Sequence, residues 1–184
     1  RNEQARSVVV PLFDFITSTL EPQGMTPQII SGGGTGTYAA YQGLGYSEIQ
    51  AGSYLFMDAA YLAIGDETNA TENQQFSPAL KVLSTVISQP TPSRTVIDAG
   101  MKCLSIDLGM PIVEGSEGVR YQTGGDEHGI LHHEEGCEIF ELGQQVILLP
   151  SHCDTTLNNF DTLYAVQGGK VICQWTIEGR GRSD

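Results

Sequence analysis

Apolar side chains at Val9, Leu12, Phe13, Ile16 and Leu20 recur at helical spacing, so residues 2–20 predict an opening helix. Pro11 sits inside that pattern and predicts a late start or a kink. Glu21-Pro22-Gln23-Gly24 ends the helix, and Gln28-Ile29-Ile30 predicts a short buried strand. That strand runs into Ser31-Gly32-Gly33-Gly34-Thr35-Gly36-Thr37, and helix, strand and glycine-rich loop together form the grammar of an α/β unit. From about residue 48 the pattern turns to strands. Ile49 to Asp58, Leu80 to Ser88, Arg94 to Ala99, Met101 to Asp107, Gly118 to Gln122 and Gly129 to Leu142 are β-like, with turn-forming separators. Polar residues 66–78 predict an exposed loop. Leu163 to Gln167 and Lys170 to Ile177 flank Gly168-Gly169, a two-residue hairpin turn, and Trp175 on the last strand is expected in the core. The expected class is α+β, the tail of an α/β domain followed by an antiparallel β-domain.

Length and charge narrow the partners. A chain of 184 residues supports one domain with a real core, or a large part of a bigger protein. Nine basic against twenty-two acidic residues, net −13, argue against nucleic acid and anionic membrane as partners. No apolar run reaches the length of a membrane span, and no leader segment precedes a cleavage site. Cys103, Cys137, Cys153 and Cys173 are scattered without a Cys-x-x-Cys pair, which predicts reduced thiols and a cytoplasmic location. Asn69-Ala70-Thr71 is a glycosylation sequon by pattern alone.

Two stretches carry candidate chemistry. Gly32, Gly33, Gly34 and Gly36 expose backbone N–H groups, and Thr35 and Thr37 add hydroxyls. Such a loop reads either as an anion nest at a strand end or as a surface turn, and it matches neither a Rossmann fingerprint nor a P-loop. In Leu148-Leu149-Pro150-Ser151-His152-Cys153-Asp154, an extended backbone would turn His152 and Asp154 to one face and Cys153 to the other. That makes half of a divalent-metal site, or else a loop histidine beside a turn aspartate. Cys153 is expected to be a packed thiol. Asp126-Glu127-His128 reads as a solvated turn or the lining of an entrance. His132-His133 would face opposite ways on a strand.

Six stretches taken in order resemble one family. They are Ser31 to Thr37, Glu48 to Asp58, Val96 to Lys102, Asp126 to Gly129, Leu149 to Asp154 and Glu178 to Ser183. Together they resemble fold-type III pyridoxal-phosphate enzymes of the D-threonine aldolase and D-serine dehydratase group. The resemblance implies the last helix-strand unit of a (β/α)8 barrel over residues 1–47, then an alanine-racemase-like β-domain with a metal site over 48–184. It implies cofactor phosphate on Gly33, Gly34, Thr35, Gly36 and Thr37, and a divalent cation on His152 and Asp154. Gln50 and Tyr54 fall in one of the shared motifs and are expected near cofactor or substrate. The Schiff-base lysine and the general base of the family belong to earlier barrel strands, so Lys81, Lys102 and Lys170 are not assigned that role and this stretch is expected to be inactive alone. Dehydratases of the group show His-x-Cys and zinc. Asp154, a hard oxygen donor, points instead to magnesium or manganese, and so to an aldolase. The implied substrate is a D-3-hydroxy amino acid of the D-threonine or 3-hydroxy-D-aspartate type, cleaved to glycine and an aldehyde by a homodimeric enzyme. The alternatives are a dehydratase of the same family and a non-catalytic remnant.

Overall fold

The computed structural model describes residues 1–66, 69 and 72–182. The chain divides into two compact units, Arg1–Leu55 and Phe56–Asp184. Of the Asn69-Ala70-Thr71 sequon, Ala70 and Thr71 lie outside the described residues, as does Ser183.

In the first unit, helix α1 spans Asn2–Phe15 and passes through Pro11, so the proline does not delay its start. A π-turn over Ile16–Leu20 and a 3-10 turn over Glu21–Gln23 follow, and Gly24 closes them at φ 76°. That left-handed cap is available to glycine without Cβ strain. The expected strand at Gln28 to Ile30 is displaced. Strand β1 is Ser31–Gly32, and Ile29 is 71% exposed, so this is not a buried strand. β1 pairs in parallel with β2, Glu48–Ile49, through Ser31 opposite Glu48 and Gly32 opposite Ile49. This pairing places residues 48–55 with the first unit. Ile49 to Asp58 is therefore not a strand: after β2 come a 3-10 turn at Ser53–Leu55 and, beyond the division, helix α2 at Ala59–Leu62. Phe13 packs edge-on against Tyr46 at 5.0 Å, Tyr46 lies 5.0 Å from Tyr41, and the Arg6 guanidinium donates to the carbonyl of Ala40.

The second unit is a closed antiparallel barrel of six strands: β3 Val82–Thr91, β4 Arg94–Ile97, β5 Ile112–Val113, β6 Val119–Thr123, β7 Gly129–His133 and β8 Gln145–Leu149. Around the barrel the order is β3, β4, β7, β6, β5, β8, and β8 closes the ring on β3. Closure leaves no free sheet edge, and alternate residues point inward. Val82, Val86, Ile97, Val119, Tyr121, Leu131, Val146 and Leu148 fill the interior, with Leu104 and Phe140 supplied by loops. Met101 to Asp107 is not a strand, because Gly100 turns it aside. A Cβ on Gly100 would stand within 2.6 Å of the backbone of Gly125, Asp126 and His128. The N–H groups of Met101 and Lys102 donate to Gly125 and Asp126 instead of to a neighbouring strand. Of Gly129 to Leu142, only β7 is extended.

Beyond the barrel, helix α3 spans Cys153–Leu157, and strands β9, Thr162–Gln167, and β10, Lys170–Thr176, form the expected hairpin. Gly168 and Gly169 turn it at φ 56° and 74°, the two positive values that a tight hairpin requires. Trp175 is 52% exposed, so it is not a core residue of the described structure. Among the described residues no helix is long and apolar enough to cross a membrane.

Leu131 is fully buried at the barrel centre. Leu131→Ala should lower the unfolding free energy by about 2–5 kcal/mol, read from denaturant melts, because it removes apolar volume that a closed ring cannot collapse to refill.

Candidate metal-binding turn and glycine loop

The candidate metal site is built where β8 ends. Pro150 stops the strand, and the carbonyls of Pro150 and Ser151 accept the N–H groups of Ala59 and Ala60 at the start of α2. Asp58 is fully buried beside them. One of its carboxylate oxygens accepts Tyr61 N–H at 2.8 Å and the other accepts Cys153 N–H at 2.7 Å. One side chain therefore caps two helix starts. The expectation that His152, Cys153 and Asp154 continue an extended run is overturned here. His152 alone is extended, and Cys153 and Asp154 open α3.

His152 and Asp154 meet all the same, across the helix start. His152 Nε2 lies 3.6 Å from Asp154 Oδ2. The other ring nitrogen, Nδ1, lies 2.7 Å from Asp107 Oδ2. Asp107 sits in the loop that Gly100 turned aside. Its Oδ1 accepts the hydroxyls of Ser105 and Thr155, the latter at 3.0 Å. That loop is tied to the α3 region twice more: Ser151 Oγ donates to the Ser105 carbonyl at 2.7 Å, and Ser105 N–H donates to Thr156 Oγ1 at 3.2 Å. Partial burial alone would raise the Asp107 carboxyl. The hydrogen bonds from Ser105, His152 and Thr155 outweigh it and hold the group down to about 2.

Cys153 is fully buried. Burial, reinforced by the Asp154 carboxylate, pushes its thiol up to about 12, so it stays protonated at neutral pH. The expectation of a packed, inert thiol holds. The two barrel histidines part as adjacent strand residues must. His132 meets Gln122, while the buried His133 bridges Thr95 Oγ1 and the Glu138 carbonyl at 2.8 Å each. Asp126, Glu127 and His128 are exposed, with Lys102 paired to Glu127.

In the first unit, the glycine loop is braced from the 48–54 segment. Thr35 is buried, and its hydroxyl accepts Tyr54 N–H at 3.0 Å. Gln50 reaches Ser31 at 2.9 Å, and its N–H donates to the Gly33 carbonyl. Thr37 and Tyr38 turn their N–H groups back on the Gly34 carbonyl. Among the described residues, the N–H groups of Gly34, Thr35 and Gly36 have no such internal acceptor. Gly33 holds φ 80° above the Tyr41 ring, where no Cβ would fit, whereas a Cβ on Gly34 would stand in open space. The loop therefore presents free donors beside room for a ligand.

Known proteins resemble this chain. A family model described as a putative serine dehydratase domain matches residues 79–166, which include the barrel, His152 and Asp154. The chain is 39% identical over 165 residues to 3-hydroxy-D-aspartate aldolase of Paracoccus denitrificans (strain Pd 1222), covering 89% of this chain and 42% of that protein. It is 41% identical over 167 residues to D-threonine aldolase of an Arthrobacter species, again covering 89% of this chain and 42% of that protein. The crystal structure of D-threonine aldolase from Filomicrobium marinum superposes with a TM-score of 0.86 at 33% identity, over 98% of this chain and 50% of that one. The chain thus spans less than half the length of the two curated relatives.

The turn after β8 offers donors that fit a divalent cation. Two ligand atoms each about 2.1 Å from one octahedral ion stand roughly 3 Å apart, which the 3.6 Å separation of His152 Nε2 and Asp154 Oδ2 approaches. Among the described residues, no set of three or more His, Cys, Asp or Glu side chains is arranged to hold a metal ion, so these two would leave several positions to water or substrate. The glycine loop fits a phosphate through its free N–H groups. Asp107, Asp58 and Thr155 were not predicted, because they approach His152 and α3 only through the fold. The signal available for Asp107 was its place beside Ser105 in a stretch too polar for a core strand.

Because the folded state depresses Asp107, its contribution to stability is present above the ordinary carboxylate range. It should be lost as pH falls from about 4 towards 2. Asp107→Asn should flatten that part of the acid-unfolding curve, followed by circular dichroism, while leaving the curve above about pH 6 close to its original slope.

Proposed function

We propose that the chain is the C-terminal part of a pyridoxal-phosphate- and divalent-metal-dependent aldolase that cleaves D-3-hydroxy amino acids to glycine and an aldehyde. The observation that carries the reading is the donor pair itself, an imidazole nitrogen and a carboxylate oxygen facing each other at 3.6 Å. The neighbouring Cys153 thiol is fully buried and donates to the other Asp154 oxygen at 3.3 Å. The carboxylate oxygen of Asp154 favours magnesium or manganese, whereas a thiolate in its place would favour zinc. The names of the similar aldolases support the reaction class.

In this reading the first unit is the end of a (β/α)8 barrel. Gly33, Gly34, Thr35, Gly36 and Thr37 hold the cofactor phosphate, mainly through backbone N–H groups, with Thr35 bracing the loop and Thr37 contributing its hydroxyl. Bound pyridoxal phosphate supplies the electron sink for carbanion chemistry. His152 and Asp154 would hold the divalent cation, which would supply Lewis-acid chemistry for loss of a proton from the substrate's hydroxyl. The Schiff-base lysine and general base come from polypeptide outside these residues. A cytoplasmic homodimer belongs to the same proposal.

The test is glycine and aldehyde release from D-threonine and 3-hydroxy-D-aspartate by the full-length polypeptide carrying these residues, with pyridoxal phosphate and Mn²⁺ or Mg²⁺. Activity should depend on the metal and fall by about 100-fold or more in Asp154→Ala. The domain's family description favours a second reading, a dehydratase. Ammonia and a keto acid in place of glycine would establish it and overturn the aldolase.

A further inference from the structure

We infer that Asp107 is a positioning residue that fixes the His152 ring as its Nδ1–H tautomer and so turns a bare Nε2 towards Asp154. The consequence for metal binding rests on the aldolase reading above; the tautomer assignment does not. An ionised carboxylate only accepts hydrogen bonds, so the 2.7 Å contact between Asp107 Oδ2 and His152 Nδ1 requires the proton on Nδ1. The hydroxyls of Ser105 and Thr155 donate to the other oxygen of Asp107 and orient its carboxylate. The ring is itself confined, with its side chain only 18% exposed. In the neutral ring the lone pair of Nε2 then faces Asp154 Oδ2 at 3.6 Å. Two acceptors at this separation repel unless a cation lies between them, so the tautomer that Asp107 selects prepares the pair for a metal. Carboxylate partners of metal-binding histidines act in this way generally, and their loss weakens metal affinity by about 10- to 100-fold.

Metal ligands alone would not identify the segment that carries Asp107. It lies forty-five residues before His152. Its loop is held in place by the two further hydrogen bonds between Ser105 and the 151–156 turn. Substitutions in the 105–107 loop should therefore act on the metal pair without touching the ion.

The experiment uses the full-length polypeptide carrying these residues, labelled with ¹⁵N-histidine and metal-free at about pH 8, with His152→Gln to assign the ring signals. Long-range ¹H–¹⁵N spectra should show His152 protonated at Nδ1 and bare at Nε2. Asp107→Leu keeps side-chain bulk but removes the acceptor. It should shift the ring towards Nε2–H, the form free histidine prefers, and weaken Mn²⁺ binding by about 10- to 100-fold in calorimetry. Asp107→Asn keeps an acceptor oxygen and should retain the wild-type tautomer. A wild-type ring protonated at Nε2, or an Asp107→Leu variant unchanged in tautomer, would overturn the inference. Wild-type chain with the expected tautomer but no Mn²⁺ binding would uphold the role of Asp107 and overturn the metal reading instead.

Discussion

The buried carboxylate of Asp58 sets the geometry on which the candidate metal site depends. A carboxylate removed from water needs its lone pairs occupied, and here backbone N–H groups from two different helices, at Tyr61 and Cys153, occupy them. Charge-assisted bonds of this kind contribute about 1.5–3 kcal/mol each, more than a strand residue beyond Pro150 would recover from an unpaired edge. The chain after β8 therefore turns into a helix. Met57, just before Asp58, is held at a positive φ of 51° and is fully buried, so the backbone accepts local strain where it delivers this carboxylate. His152 and Asp154 owe their approach to that helix start.

The barrel supplies the fixed frame. β8 is hydrogen-bonded on both sides, to β3 and to β5, so its exit at Pro150 is held from two directions. The loop after β4 carries Gly100 and then Asp107, and Gly100 packs so closely on the β6–β7 turn that the loop has one path. Two loops that are distant in sequence, 105–107 and 150–156, thus leave the same end of a rigid ring and exchange four side-chain hydrogen bonds. Precise placement of a two-ligand site requires such support, because the missing ligands cannot correct its geometry.

Much of this was legible in the residues, and the failures have physical causes. β3, β4, β6 and the final hairpin follow from alternation and from Gly168-Gly169, since their patterns reflect one buried face or a turn with few solutions. Ile49 to Asp58 and Met101 to Asp107 carry apolar residues too, but glycine, buried polar caps and loop packing override β-propensity there. Trp175 reads as core by size alone, yet it stands on a hairpin whose strand β10 is exposed along its length. The approach of His152 and Asp154 was anticipated from an incorrect backbone: spacing of two on a strand and a histidine preceding a helix both bring positions 152 and 154 together. Asp107 was invisible because a partner forty-five residues away leaves no local periodicity.

The glycine loop was legible as an anion nest or a turn, and structure separates the roles of its members. Gly33 is glycine for its φ and its closeness to the Tyr41 ring, and Thr35 holds the Tyr54 amide. The cation proposed between His152 and Asp154 is the point on which the functional reading turns, and anomalous diffraction from crystals grown with Mn²⁺ would locate it. A peak is expected within about 2.3 Å of both His152 Nε2 and Asp154 Oδ2, with Asp107 beyond ligand distance. A map with Mn²⁺ bound elsewhere, or coordinated by Asp107 in place of Asp154, would contradict that reading.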